Sequence, residues 1–130
     1  DFCNLPFEDD CFNLIIDRAA LTHVGLNAQK EAIREVHRVL KKKGKFMYNP
    51  YSTEHTSSLS GELIGDGLKV NINEGTLTGV GQVGFVGRDN IDDAFSNGWA
   101  IRSIELRKHL EMYQPGEKLH SEWLVVAEKK

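Results

Sequence analysis

The chain has 130 residues, of which 40% are hydrophobic and 27% charged, and a net charge of −3. That length suffices for one domain that buries roughly two-thirds of its unfolded surface. The slightly acidic balance gives no electrostatic ground for nucleic acid or an anionic membrane as partner, and no apolar run approaches the ~20 residues that span a bilayer.

The two cysteines, Cys3 and Cys11, stand without a CxxC pair or a Cys/His cluster at zinc spacing. Neither a disulfide framework nor a metal site is expected, and a reducing cytoplasmic compartment fits best. The first residue is Asp1 rather than methionine, which suggests a piece of something longer.

In chain order, "FNLIID" (Phe12 to Asp17) reads as a short buried strand that ends in a polar residue. "NAQKEAIREVHRVLKKKG" follows, with Asn27 as N-cap, Ala32, Ile33, Val36, Val39 and Leu40 at helical spacing, and Gly44 just past the end. Lys41, Lys42 and Lys43 then complement the helix dipole as a solvated cap. His37 falls on the polar side and is expected to be solvated. "KFMYN", Lys45 to Asn49, is a second strand stopped by Pro50. Strand, helix and strand form a βαβ unit with a parallel sheet.

Residues 51–66 are rich in Ser, Thr, Gly and Glu and read as a loop. "LKVNI" and "TLTGVGQVGF" alternate in polarity around "NEG", the pattern of a β-hairpin. "RDNIDDAFSNG" predicts a short helix capped by Asp89 or Asn90. "WAIRSIEL" and "SEWLVVAEK" are the last two strands, joined by the turn "QPGEK".

Gly79 to Gly84 spell G-x-G-x-x-G, the letters of a dinucleotide-binding loop. The context disagrees, because such a loop runs from a buried strand straight into a helix. Here Phe85, Val86, Gly87 and Arg88 intervene, so closely packed hairpin glycines are expected. "NPY", Asn49 to Tyr51, has the letters of an amino-group methyltransferase signature, but one proline is missing. A helix-and-strand breaker leading into a loop is the expected reading.

Taken together, "LPFEDDCFNLIIDRAALTHV", "EAIREVHRVLKKKGKFMYNPYS" and "SEWLVVAEKK" resemble the class I S-adenosylmethionine-dependent methyltransferases. Within that superfamily, "IIDRAALTHV" is similar to the thiopurine and tellurite-resistance type. Asn13, where the family usually has Asp, and "KKKGK" for "KPGGK" are mild departures. The resemblance implies an α/β, Rossmann-like fold, with residues 1–130 as the C-terminal half of the domain: strands four to seven, mostly parallel with the last antiparallel. Residues 51–86 are then an inserted loop and hairpin, a candidate substrate lid. The glycine-rich cofactor loop of the family would lie upstream of the "LPF" turn.

The same resemblance places S-adenosylmethionine against Asp1, Phe2, Asp17, Arg18 and Leu21, with a small-molecule acceptor nearby. Asp1 and Phe2 match an adenine contact, with a frayed terminus as the alternative. Asp17 and Arg18 match the methionine side, with a loop cap and its ion-pair partner as the alternative. His23 is a candidate base for an acceptor proton, and Tyr48, Tyr51 and His55 are substrate-side candidates. Two other readings remain. One is a non-catalytic half-domain that self-associates, or pairs with a missing half, through the exposed strand Phe12 to Asp17. The other is a nicotinamide-dependent oxidoreductase built on Gly79 to Gly84.

Overall fold

The structure, a computed structural model, describes residues 1–113 and 116–130. Its main sheet has the order β1-β2-β7-β6, from β1 (Phe12–Ile16), β2 (Leu40–Tyr48), β7 (Lys118–Lys129) and β6 (Trp99–Glu111). β1 and β2 are parallel, and β7 runs antiparallel to both of its neighbours. This is the expected α/β sheet, parallel apart from its last strand. Helix α1 (Leu26–Val39) provides the crossover between β1 and β2.

α1 forms where the apolar spacing predicts it. Ala32, Ile33, Val36 and Val39 are all buried, and they pack with Leu40, Phe46, Phe95, Trp99, Val125 and Ala127 into the main core. Phe46 sits at its centre, stacked against Tyr48 and Phe95 at ring distances of 5.9 and 6.2 Å. Each such side chain contributes about 1.5–3 kcal/mol when fully buried.

Both helix boundaries differ from the expectation. α1 ends at Val39, and Lys41, Lys42 and Lys43 lie exposed in the first part of β2, because Leu40 already pairs with Phe12 of β1. The lysines therefore flank a strand and do not cap a helix. At the other end Gly25, not Asn27, holds the N-cap position. The capping side chain comes from far along the chain: Asp66 Oδ1 accepts from Asn27 N–H at 2.8 Å, Oδ2 from Ala28 N–H at 3.3 Å, and the Asp66 carbonyl from Leu26 N–H at 2.8 Å. Gly25 is glycine for a steric reason, since a Cβ there would stand 2.1 Å from Asp66 Oδ2.

Asp66 sits in the turn of the expected insertion, between β3 (Glu62–Gly65) and β4 (Leu68–Val70). β4 pairs antiparallel with β5 (Gln82–Gly84), the hairpin partner predicted for it. β3 is an addition, since residues 51–66 hold this strand and a 3-10 turn, Thr56–Leu59, rather than irregular loop alone. β3 is exposed along its whole length and shows no alternation to read. The small sheet has its own core of Ile72, Leu77, Val83 and Phe85.

The second helix, α2 (Arg88–Ala94), follows β5 after three residues. Its N-cap is Gly87, whose N–H donates to the Asn90 side chain at 2.8 Å, so Asn90 caps from within the helix. β6 and β7 form a longer hairpin than expected, paired from Trp99 with Lys129 to Glu111 with Lys118. Gln114 and Pro115 of its turn lie outside the described residues. His37 is not free in solvent: its ring meets Trp99 edge-on at 5.0 Å and its Nε2 lies 3.0 Å from the Gly98 carbonyl.

Candidate functional site

In an open α/β sheet, ligands bind outside the carboxyl ends of the parallel strands. Here those ends carry Asp17, just past β1, and Asn49, just past β2. β7 is antiparallel, so its beginning reaches the same edge and brings His120 and Glu122 there. The three strands are tied along this edge. Asp17 Oδ2 lies 3.5 Å from Asn49 N–H, and the Asn49 amide donates to Glu122 Oε2 at 3.1 Å and to the Trp123 carbonyl at 2.6 Å. Asn49 thus joins two strands of the sheet.

Asp17 is buried, and its Oδ1 accepts from the N–H groups of Ala20 and Leu21, each at 3.0 Å. Burial pushes its carboxyl above the usual range, opposed by these hydrogen bonds. The arrangement starts the 3-10 turn Leu21–His23 and leaves Oδ2 with one long contact. Arg18 is exposed, and among the described residues no ion pair joins it to Asp17. The loop-cap half of that alternative fits the geometry and the ion-pair half does not.

Asp17 stands at the edge of a cleft of about 330 Å³, otherwise apolar, lined among others by Phe2, Phe7, Leu14, Ile16 and Leu21. Phe2, Asp17 and Leu21 are thus brought together. Asp1 is exposed and its carboxylate accepts from Cys3 N–H at 2.9 Å in a local turn. Arg38 of α1 donates to the carbonyls of Leu5 and Phe7 at 3.2 and 3.0 Å, which holds the N-terminal segment against the helix.

His23 is exposed at the end of the 3-10 turn and faces β5. Its Nδ1 lies 2.9 Å from the Gln82 carbonyl, and the Gln82 amide donates to the His23 carbonyl at 2.9 Å. Beside this pair, Thr22 Oγ1 and Gln29 Nε2 both donate to the Gly84 carbonyl at 3.3 Å. The close approach needs Gly84, because a Cβ would lie 2.7 Å from the Val24 carbonyl oxygen and 2.8 Å from Gln29 Nε2. The G-x-G-x-x-G letters therefore mark a strand packed against the loop after β1, with no helix entering from them.

The substrate-side candidates separate. Tyr48 is 2% exposed in the main core, where its hydroxyl donates to Gln29 Oε1 at 2.5 Å, so it is not at the mouth of the cleft. Desolvation pushes its hydroxyl far above the usual tyrosine range. Tyr51 and His55 do meet, edge-on at 5.6 Å, and His120 joins both rings. His55 is fully buried, its Nδ1 accepts from Ser57 N–H at 3.1 Å, and its Nε2 faces His120 Nδ1 at 3.2 Å. Burial first, and His120 second, hold the His55 imidazole down to about 4. His120 Nε2 in turn lies 3.8 Å from Glu122 Oε2.

Sequence reasoning missed His120, Glu122, Gln82 and Gln29. The signal for the first two was available in "LHSEW", where His120 and Glu122, two residues apart, share one face at the start of a final antiparallel strand. Among the described residues no cluster of His, Cys, Asp and Glu has metal-holding geometry.

Residues 1–48 match the family described as Methyltransferase domain. The whole chain superposes on a solved S-adenosylmethionine-dependent methyltransferase of Methanosarcina mazei with a TM-score of 0.74, at 18% identity, covering 99% of this chain and 64% of that one. The chain has the Rossmann-like α/β fold of that methyltransferase. A second methyltransferase structure shares the fold at a TM-score of 0.63 and 14% identity, over 99% of this chain and 48% of that one. It is the Burkholderia thailandensis 1,6-didemethyltoxoflavin-N1-methyltransferase, with 1,6-didemethyltoxoflavin and S-adenosylhomocysteine bound. An uncharacterized protein of Haemophilus influenzae is 50% identical over 40 residues, 31% of this chain and 16% of its own. The methyltransferase fold is thus matched by a chain that spans about half to two-thirds of these structural relatives' length.

Proposed function

We propose that the chain forms the acceptor-side part of a methyltransferase that moves a methyl group from S-adenosylmethionine to a small molecule. The observation that carries this reading is the cleft that runs along β1 to Asp17 at its carboxyl end, lined also by Phe2 and Leu21. Its apolar lining suits a flat ring, and Asp17 Oδ2 retains acceptor capacity beside it. In this reading Asp1 and Arg18, next in sequence to Phe2 and Asp17, supply further cofactor contacts. When bound, the cofactor supplies an already activated methyl group. The protein then chiefly holds donor and acceptor in line, an effect that reaches roughly 7–11 kcal/mol.

The test is an NMR titration of the isotopically labelled chain with S-adenosylhomocysteine. Weak, saturable shifts centred on the amides of Phe2, Asp17 and Leu21 are expected. No shift, or shifts centred elsewhere, would overturn the reading.

Residues 51–86, which contact the loop after β1 through Gln82 and Gly84, serve in this reading as the acceptor wall, with Tyr51 and His55 behind it. Exchanging that segment with the Methanosarcina mazei protein should change which acceptors are used, and an unchanged profile counts against it. The free thiols of Cys3 and Cys11 support a cytoplasmic setting, and no helix among the described residues is long and apolar enough to cross a membrane. Self-association is a second reading, favoured by β1, which pairs on one side only and exposes Leu14 at 55% and Ile16 at 52%.

A further inference from the structure

We infer that a second cleft, between α1, α2 and the start of β6, binds a small oxyanion, a phosphate or carboxylate group, through the Trp99 indole N–H and the side chains of Arg34 and Lys30. The site is independent of the methyl-transfer reading. β6 runs parallel to β2, since both are antiparallel to β7. Trp99 opens β6 and so lies at the end of the sheet opposite to Asp17. The cleft there holds about 250 Å³ and shares no lining residue with the cleft along β1.

The indole points to a ligand. Trp99 is 5% exposed and is held edge-on by His37 at 5.0 Å and by Phe95 at 5.3 Å. A buried tryptophan ordinarily gives its N–H to an acceptor, as Trp123 does to the Val86 carbonyl at 2.8 Å. Trp99 Nε1 has no acceptor among the described residues, yet no fully enclosed side-chain nitrogen or oxygen among them lacks a partner. The N–H is therefore open, and it opens into the cleft that its ring lines. An indole N–H only donates, so the group it receives must offer a lone pair.

The charges around it select an anion. Lys30, Arg34 and His37 stand at i, i+4 and i+7 of α1, so one helix face brings them to the cleft. His37 Nε2 donates to the Gly98 carbonyl at 3.0 Å, which makes His37 a fixed wall. Residue 98 is glycine because a Cβ would stand 2.6 Å from that nitrogen. Asp93 of α2 also lines the cleft and pairs with Lys30 at 2.6 Å, and Arg34 pairs with Glu31. Both carboxylates are exposed, at 62% and 54%. Such surface pairs constrain weakly, so an incoming oxyanion can take over the two cations and leave Asp93 and Glu31 to water. A guanidinium fork, an ammonium and an indole N–H then face one acceptor-rich group. A cationic ligand would meet only Asp93, which already holds Lys30.

The experiment uses the two tryptophans as probe and control. In the nitrogen-15 spectrum of the labelled chain, Trp99 and Trp123 each give one indole N–H signal. Sodium phosphate, and in a separate arm sodium acetate, is exchanged for sodium chloride at constant ionic strength. The Trp99 signal should move saturably with at least one of them, and the tighter arm identifies the group. The Trp123 signal, already bonded to Val86, should stay in place. Arg34→Gln changes an exposed side chain outside the core and should raise the apparent Kd about tenfold or more, with partial recovery in Arg34→Lys. A Trp99 signal that neither anion moves, or that moves without saturating, overturns the site. So does an equal shift of Trp123, or an Arg34→Gln chain that binds as tightly as the native one.

Discussion

His55 and His120, 65 residues apart in sequence, face each other with Nε2 and Nδ1 at 3.2 Å. Ser57 N–H donates to His55 Nδ1, so the His55 proton is on Nε2 and points at its partner. This pair predicts a pH dependence of stability. The folded-state value for His55 is about 4, against an ordinary 6.5. Between those limits the unfolded chain holds more protons than the folded one, so the contribution of His55 is complete above 6.5 and is lost as pH falls toward 4. Asp17, raised by burial, works in the opposite sense at lower pH. Urea midpoints measured from about pH 7 to about pH 4.5 should fall less steeply in His55→Gln than in the native chain. Parallel curves would show that His55 takes up its proton in the folded state.

Asp66 predicts a capping effect that acts across the fold. Asp66→Ala leaves the Asn27 and Ala28 N–H groups without their acceptor, which typically costs about 1 kcal/mol. Asp66→Asn keeps an acceptor, tolerates the positive φ of 47° at this position, and should recover most of the loss. Amide exchange at Asn27 and Ala28, followed by NMR, should quicken in the alanine variant alone.

The two halves of the glycine-bearing stretch should respond differently to a methyl group. Gly84→Ala must push into the Val24 carbonyl and Gln29 Nε2 and should cost about 1–3 kcal/mol. Gly81→Ala meets nothing within 4 Å, and should stay within about 0.5 kcal/mol of the native chain. Thermal unfolding of the two variants is sufficient to separate them.

The open side of β1 predicts concentration-dependent assembly. Leu14 and Ile16 are half-exposed on a strand with one free edge, so light scattering should show mass rising with concentration. Leu14→Lys with Ile16→Lys should bring the mass back to that of one chain. A native chain that stays monomeric at high concentration counts against self-association.

Much of the main sheet could be read from the sequence because its signals are local. Ala32, Ile33, Val36 and Val39 recur at helical spacing and were found buried on one face. β3 could not be read, because Glu62 to Gly65 are exposed on both faces and carry no alternation. The three lysines misled for a different reason: a helix end and a strand start tolerate the same charges, and only the pairing of Leu40 with Phe12 decides between them. The candidate site divides similarly. Phe2, Asp17 and Leu21 line one cleft, whereas Tyr48 turns inward because Gln29, a buried residue of α1, accepts its hydroxyl proton. His120 and Gln82 depend on contacts across 65 and 59 positions, which no window along the chain displays.

The distant cap on α1 also sets an order of events during synthesis. Asn27 and its acceptor Asp66 are 39 residues apart, so at ordinary translation rates the helix leaves the ribosome roughly 2–8 s before its cap. A 14-residue helix is marginal by itself in water. Through that interval the nascent α1 lacks this cap, and its first turn closes only when the insertion has emerged and folded back over it.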